Sequence, residues 1–141
     1  MIKVYFIWFI VFLSCGRGRD SEMDTNTKFK SSRNLTKIKF FNKRVDFGYV
    51  NSDTLLTGKY IFMNSGNFDL IIDYVSPDCS CTDFYLSKKS IKPGDTAYIL
   101  LKLLTKSKFG NEKIFATVSA NTEERLYSLQ LLVNIKENLI K

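Results

Sequence analysis

Apolar and polar side chains alternate with a period of two along much of this chain, and this alternation restricts the fold more than any other feature. It is clearest near the C-terminus, where apolar side chains occupy every second position: Tyr127, Leu129, Leu131, Val133 and Ile135. Side chains of a β-strand point to opposite sides of the sheet in turn, so a strand covered on one side has this pattern. An α-helix would require a period near 3.6 residues. Residues 127–136 are therefore predicted to form a strand, and only Leu132 departs from the pattern.

Six further segments have the composition or alternation of short strands, with turn residues between them. They are residues 37–41, 45–50, 59–63, 68–75, 97–103 and 112–120. About seven short strands separated by Gly, Asn and Pro turns indicate an all-β antiparallel sandwich. In the fourth segment, the side chains predicted to share one face are Phe68, Leu70, Ile72 and Tyr74. We expect the Phe68, Leu70 and Ile72 face to pack against the 127–135 face from the opposing sheet.

Length and composition are those of a single domain with its own core. A chain of 141 residues is within the usual size of one domain. Twelve Phe and seven Tyr supply enough apolar surface that disulfides are not needed to replace a core. The net charge is +7, but the lysines are scattered between apolar positions rather than clustered. This distribution predicts a solvated surface and no nucleic-acid partner.

The sequence contains no histidine. Histidine is the side chain most used as a general base near neutral pH, and it is the commonest imidazole metal ligand. Without it, the Ser-His-Asp and Cys-His arrangements of nucleophilic catalysis cannot be assembled within this chain. We assign no catalytic residue, expect no metal and no cofactor, and predict that the protein is not an enzyme.

The first fourteen residues have the layout of a signal peptide. Lys3 gives a short positive region, and residues 4–13 form an unbroken apolar run. This run is shorter than the about 20 apolar residues that a membrane-spanning helix needs. Ser14 and Cys15 then resemble the lipobox of bacterial lipoproteins, in which a peptidase cuts before the cysteine and the thiol carries a lipid. Phe12 and Leu13 differ from the residues usual there, and the alternative is an ordinary signal peptide with an incidental cysteine.

The lipobox resemblance implies that Cys15 is lipidated and anchors the protein to a membrane. The residues that follow are polar and cannot bury enough surface to offset the entropy of ordering. We therefore divide the chain into a signal peptide (1–14), the lipidated cysteine with a flexible tether (15–36) and a β-sandwich (37–141). Gly16 stands where enterobacterial lipoproteins of the inner membrane have Asp. This difference favours the outer membrane as the location of the anchor within the cell envelope.

Three short motifs in the sandwich carry a resemblance to a known family. They are Phe62-Met63-Asn64-Ser65-Gly66, Cys79-Ser80-Cys81-Thr82 and Ile91-Lys92-Pro93-Gly94. With these motifs, residues 45–135 resemble the bacterial family known as domain of unknown function 1573 (DUF1573), whose members share F-x-N-x-G, V-x-x-S-C-G-C-T and I-x-P-G. Asp78 and Ser80 depart from the Ser and Gly usual in the family. The family is similar to immunoglobulin-like, Hydin-type and PapD-like sandwiches, and many members are secreted proteins or lipoproteins of Bacteroidota.

Glycine and proline in these motifs have a structural interpretation. Gly66 is predicted to adopt the positive φ that a tight hairpin demands. Pro93 and Gly94 fit the second and third positions of a type II turn, because Pro fixes φ near −65° and Gly accepts a positive φ. We interpret these three residues as structural turns rather than as a binding site.

Cys79 and Cys81 are open to three interpretations. In an extended segment they lie on the same face with α-carbons about 6–7 Å apart, and a turn would bring them within disulfide range. A disulfide suits an oxidising periplasm. Two reduced, half-buried thiols that only pack are the second interpretation. A two-thiolate site for Cu(I), or a redox pair, is the third.

The sequence as a whole predicts a non-enzymatic lipoprotein of the cell envelope. Its immunoglobulin-like module is expected to bind a protein partner in the envelope or to have a structural role there. The competing prediction is a periplasmic thiol-redox or copper-handling protein that works through Cys79 and Cys81.

Overall fold

The structure, a computed structural model, describes residues 34–136. The predicted signal peptide, Cys15 and the tether up to residue 33 lie outside the described residues, as do residues 137–141. Within the described range, no helix is long and apolar enough to cross a membrane.

Residues 34–136 form nine β-strands. In chain order they are β1 (Ile38–Phe40), β2 (Arg44–Asn51), β3 (Leu55–Asn64), β4 (Leu70–Pro77), β5 (Thr82–Leu86), β6 (Ser90–Ile91), β7 (Thr96–Leu104), β8 (Gly110–Ala120) and β9 (Leu126–Lys136).

The nine strands form two sheets that enclose one core. The four-stranded sheet has the order β1-β3-β7-β5, and the five-stranded sheet has the order β2-β9-β8-β4-β6. This architecture confirms the predicted all-β sandwich, with nine strands in place of about seven. β5 was not predicted because it is an edge strand in which Asp83, Phe84 and Tyr85 are all exposed, so burial does not alternate along it. β6 has only two residues, too few to show a period.

One strand pair departs from the predicted antiparallel arrangement. β2 pairs with β9 in parallel, with Arg44 opposite Gln130 and Asn51 opposite Lys136. The chain leaves β1 in one sheet and enters β2 at the edge of the other, beside the last strand. The register of β2 shifts between Asp46 and Tyr49, where Gly48 has a φ of +62°. A bulge of this kind adds a residue to one strand and bends it.

The core consists of the inward faces of both sheets. All five apolar residues predicted on β9 are buried, as expected. The predicted partner face is wrong, however, because β4 lies in the same sheet as β9. The side chains that face β9 across the core instead belong to β3 and β7, and those fully buried there are Tyr60, Phe62, Ile99, Leu101 and Leu103.

The predicted face of β4 is only partly correct. Leu70 and Ile72 are buried, whereas Phe68 precedes the strand and Tyr74 is 50% exposed. The register of β4 against β8 shifts between Ile72 and Tyr74, so the next inward side chain is Val75. A β-bulge moves the following residues to the opposite face, and a prediction from strict alternation therefore fails beyond it.

The Tyr60 hydroxyl group connects the two sheets. It donates a hydrogen bond of 2.8 Å from β3 to the carbonyl oxygen of Gln130 on β9. The ring is fully buried, and burial raises the pKa of this hydroxyl well above its usual range because the charged phenolate is poorly solvated there. The hydroxyl therefore stays protonated and remains a donor across the core.

Shortening Leu131 tests the assigned register of β9. Leu131 is fully buried and neighbouring Gln130 points to the other side of the sheet. We expect Leu131→Ala to lower the free energy of unfolding by about 2–5 kcal/mol, because it removes buried methyl groups and leaves a cavity. Gln130→Ala should change it by less than about 1 kcal/mol. Chemical denaturation of both variants measures the difference, and equal effects would contradict the register.

Candidate functional site

The Asn64 side chain, at the end of β3, is a buried junction between separate parts of the chain. Its Oδ1 atom accepts hydrogen bonds from the Thr36 hydroxyl group at 3.0 Å and from the Gly66 backbone N–H at 3.1 Å. Its Nδ2 group donates to the carbonyl oxygens of Phe68 at 2.7 Å and Ile91 at 2.8 Å. Two donors and two acceptor positions are the full capacity of an amide. We call this group of contacts the Asn64 junction.

The role of Gly66 differs from the prediction. The connection from β3 to β4 crosses between the two sheets, so it is not a hairpin, and Gly66 does not have a positive φ. A Cβ atom at this position would instead lie 2.6 Å from the Lys37 backbone nitrogen and would overlap the Thr36 hydroxyl oxygen. Gly66 is required because the N-terminal segment passes directly against it.

Asn121, directly after β8, holds the same segment from the other sheet. Its Nδ2 group donates to the carbonyl oxygens of Asn34 and Asp69, and its Oδ1 atom accepts from the Ile71 backbone N–H at 2.7 Å. The Thr36 backbone N–H donates to the Asn121 carbonyl oxygen at 3.0 Å. Residues 34–36 are therefore bound to the domain, and the sandwich begins before residue 37, the boundary predicted from composition.

The Ile91-Lys92-Pro93-Gly94 motif contacts the Asn64 junction through its backbone. Gly94 has a φ of +83°, and the Asp95 N–H donates to the Lys92 carbonyl oxygen, as in a type II turn with Pro93 at its second position. The Gly94 N–H donates to the Asn64 carbonyl oxygen at 2.9 Å, and the Asn64 N–H donates to the Asp95 carbonyl oxygen. The F-x-N-x-G and I-x-P-G motifs are thus two sides of one contact.

Sequence reasoning missed Asn64, although a signal was present. Asn64 continues the alternation that places Tyr60 and Phe62 on the inward face of β3. A polar residue in a core position must find hydrogen-bond partners, because an unpaired buried amide is costly. An asparagine on an inward face is therefore a sign of a buried polar junction.

Cys79 and Cys81 lie at the opposite end of the sandwich, beyond β4. The structure joins them in a disulfide with α-carbons 5.2 Å apart. The Thr82 N–H donates to the Cys79 carbonyl oxygen at 3.1 Å, which closes a turn around the pair. Both cysteines are partly buried against the core. Across residues 34–136, no group of three or more His, Cys, Asp or Glu side chains is arranged to hold a metal ion.

The Asn64 junction and the disulfide therefore lie at opposite ends of the sandwich. β3 runs from one end to the other, and its ten residues span about 30 Å. The described chain enters at the Asn64 end, which we call the entry end. The disulfide and the loop at residues 105–109 lie at the far end, where the Leu104 N–H approaches the Cys81 carbonyl oxygen at 3.4 Å.

The outward side of the four-stranded sheet carries apolar side chains that no part of the described chain covers. Leu55 and Leu104 are register partners at the far end, and both are exposed. Ile61 lies opposite Tyr98 further along the sheet. We call this surface the four-stranded outer face, and its apolar members are Leu55, Ile61, Tyr85, Tyr98, Leu100 and Leu104.

Lysines are spread over the same face. The Lys59 Nζ atom lies 4.5 Å from the centre of the Tyr98 ring, which is a cation–π distance. Lys102 stands between Thr57 and Asp83 in the register of β3, β7 and β5. Lys39 points to this side at the β1 edge, opposite Met63. The face thus has an apolar centre formed by Ile61, Tyr98, Leu100 and Tyr85, a separate apolar pair at the far end, three lysines and one carboxylate.

The model of the family described as "Protein of unknown function (DUF1573)" matches residues 38–135. The chain belongs to this family. The match runs from the start of β1 almost to the end of β9, and it confirms the resemblance carried by the three motifs. No curated protein matches the DUF1573 chain at a significant level.

Solved structures share the fold of this DUF1573 domain at low identity. A protein of unknown function from Porphyromonas gingivalis W83 is 11% identical with a TM-score of 0.63, covering 71% of this chain and 47% of its own. The VesB protease of Vibrio cholerae is 5% identical with a TM-score of 0.56, covering 71% and 32%. An ASH/PapD-like domain of human CEP192 is 15% identical with a TM-score of 0.53, covering 74% and 89%. The chain thus spans less than half the length of the first two, and the similarities show the fold alone.

Removing the Asn64 side chain tests the junction. Asn64→Ala leaves two carbonyl oxygens, one N–H and one hydroxyl group of this site without their partner. Each buried group left unpaired costs about 1–3 kcal/mol, so we expect a loss of at least about 3 kcal/mol of unfolding free energy. Asn67→Ala, at an exposed position three residues away, should cost less than about 0.5 kcal/mol. A loss below about 1 kcal/mol for Asn64→Ala would show that the junction is dispensable.

The disulfide is expected to contribute little to global stability. It closes a loop of only three residues, for which the chain-entropy gain is under about 2 kcal/mol. The double variant Cys79→Ser, Cys81→Ser should therefore fold, with a slightly lower Tm in thermal denaturation. Reduction of the wild-type protein should produce the same shift, because both treatments remove the same bond. Stoichiometric Cu(I) binding by the reduced wild type, lost in the double variant, would instead favour the copper-handling alternative.

Proposed function

We propose that this DUF1573 protein is a non-enzymatic, lipid-anchored protein of the cell envelope. Its immunoglobulin-like domain holds a protein partner on the four-stranded outer face. The observation that carries the binding role is the contiguous apolar group of Ile61, Tyr98, Leu100 and Tyr85 on this face, of which Ile61 and Tyr85 are exposed. Contiguous apolar surface on a folded domain marks interaction sites more often than scattered single residues do.

The composition of the face suggests the chemistry of the partner. Tyr85 and Tyr98 have ring centres 6.2 Å apart and offer large, rigid contact areas. Three lysines surround the apolar centre, against the single carboxylate of Asp83. Opposite charge around an apolar centre steers association and selects partners. We therefore expect the partner to present an apolar patch with an acidic rim.

The position of chain entry indicates where an anchored chain would join the domain. A chain anchored through Cys15 would reach the sandwich at the entry end, where Thr36 is fastened to Asn64 and Asn121. The outer membrane is the expected location because Gly16 follows the cysteine.

Replacement of the anchoring cysteine tests the location. Cys15→Ala should move the protein from the membrane fraction to the soluble fraction, because it removes the thiol that carries the lipid. Cys79→Ser is the matched control, since it changes a cysteine of the same chain outside the lipobox and should leave the protein in the membrane fraction. Cell fractionation with mass spectrometry of the N-terminus measures both. A Cys15→Ala protein that remains in the membrane fraction would contradict the lipoprotein assignment.

Site-specific photo-crosslinking in cells tests the binding face. A photoreactive amino acid at Ile61, on the four-stranded outer face, should yield a discrete crosslinked product with one envelope protein. The same amino acid at Ser128, an exposed position on the outward side of the five-stranded sheet, is the control. Equal products at both positions, or none at Ile61, would exclude this face as the binding surface.

A further inference from the structure

The outward side of the five-stranded sheet contains a groove beside the bulge of edge strand β2. The groove has a volume of about 420 Å³ and is open to solvent. This is within the range of small-molecule sites, about 300–1,000 Å³. We call it the bulge groove, and the side chains that define it are Asp46, Tyr49, Asn111, Lys113, Leu132 and Asn134.

The register of the three strands places these side chains in two rows. One row runs across the sheet through Asp46, Leu132 and Lys113. The second runs through Tyr49, Asn134 and Asn111. Adjacent strands are about 4.8 Å apart, and residues i and i+2 of one strand are about 7 Å apart. The two rows therefore frame a surface of about 10 Å by 7 Å, which is the size of one sugar ring with its hydroxyl groups.

The bulge in β2 fixes the position of the Asp46 carboxylate at one side of the bulge groove. The Asp46 Oδ1 atom accepts a hydrogen bond from the Gly48 N–H at 3.0 Å, and the Arg44 guanidinium group donates to its Oδ2 atom at 3.3 Å. The Gly48 hydrogen bond and, after it, the Arg44 side chain hold the pKa of Asp46 below its usual range. Asp46 thus stays an ionised acceptor in a defined orientation, and the positive φ of Gly48 maintains the backbone that aims it.

A pair of amides lies beside Tyr49 in the second row. The Asn134 Nδ2 group donates to the Asn111 Oδ1 atom at 2.5 Å. The Nδ2 group of Asn111 and the Oδ1 atom of Asn134 are not part of this bond and have no hydrogen-bond partner within residues 34–136. The pair therefore offers a donor and an acceptor in fixed positions. Tyr49, which is 75% exposed, adds an aromatic ring and a hydroxyl group on the same row.

The charged side chains on the groove side of the sheet are Asp46, its partner Arg44 and Lys113. Glu112 stands opposite Val133 on the inward side of β8, where its carboxylate pairs with the Lys108 Nζ atom at 3.3 Å. Lys113 also lies 5.0 Å from the Phe115 ring centre, which positions its ammonium group. An anionic ligand in the groove would lie beside the ionised Asp46 carboxylate, which repels it, so the groove favours a neutral ligand. Leu132, half-buried at the centre, gives the groove an apolar floor.

We propose that the bulge groove binds a neutral saccharide. An ionised carboxylate, two oriented amides and an ammonium group together can accept from and donate to several neighbouring hydroxyl groups. Leu132 and the Tyr49 ring contact the C–H surface of the sugar. A phosphate or another anion would meet the Asp46 carboxylate, and a wholly apolar ligand would leave the amides unpaired. This site lies on the opposite sheet from the proposed protein-binding face and is independent of it.

Nuclear magnetic resonance titration of the full-length protein tests the proposal. The probes are four neutral oligosaccharides: maltotetraose, cellotetraose, mannotetraose and chitotetraose. We expect at least one of them, at millimolar concentration, to cause saturable shifts of backbone amide signals in residues 46–49, 111–113 and 132–134. The signals of β3 and β7 on the other sheet should not move.

Three variants make the titration specific. Tyr49→Ala and Asp46→Asn should each weaken binding about tenfold, a factor that corresponds to 1.4 kcal/mol. Both should fold, because Tyr49 is exposed and an asparagine oxygen can still accept from the Gly48 N–H. Tyr74→Ala is the matched control, since it removes an exposed tyrosine elsewhere on the same sheet and should leave binding unchanged.

Three results would overturn the saccharide site. The first is that none of the four oligosaccharides causes saturable shifts. The second is that Tyr49→Ala binds as tightly as the wild type. The third is that inorganic phosphate causes the same shifts, which would indicate an anion site.

Discussion

The buried amide of Asn64 is the constraint on which the arrangement of this domain depends. Its four hydrogen bonds reach the segment before β1, the crossover between β3 and β4, and the end of β6. Within residues 34–136, every buried side-chain nitrogen or oxygen has a hydrogen-bond partner. A buried polar group tolerates few alternative arrangements, because each of them leaves donors or acceptors unpaired. Apolar burial stabilises the sandwich, and this amide specifies how its segments meet.

A strand could be predicted from the sequence when one of its faces lies in the core and the other lies outside it. β3, β7 and β9 have one face in the core and one outside, so their period of two is nearly complete and both strand type and core residues follow from it. β5 has solvent on its edge, and its burial does not alternate. In β4 a bulge after Ile72 changes which residues point into the core, and the local sequence does not indicate this change.

The functional regions were less predictable because they depend on distant pairings. Gly66 was predicted to be a hairpin glycine with a positive φ, but the reason for a glycine there is the Lys37 backbone, which only the folded chain brings beside it. The bulge groove exists because β2 pairs in parallel with β9, which places Asp46 and Leu132 side by side. Neither alternation nor turn residues indicate which strand lies next to which. Asn64 was also missed, but it could have been predicted, since a polar residue at an inward position of β3 is visible in the sequence.

The place of β9 between β2 and β8 has a consequence for biosynthesis. The ribosome delivers β2 early, but within residues 34–136 the strand that pairs with β2 is β9, the last of the nine. Until residues 126–136 have emerged, β2 has no strand to pair with and is separated from the rest of the five-stranded sheet. Val45 and Val50 therefore lack the neighbouring strand beside which they pack against the core. Non-local pairings of this kind form late, because the loop between the partners must be closed first. The domain therefore completes its fold only after residues 126–136 have been synthesised, and a chain that stops short of β9 exposes the core of both sheets.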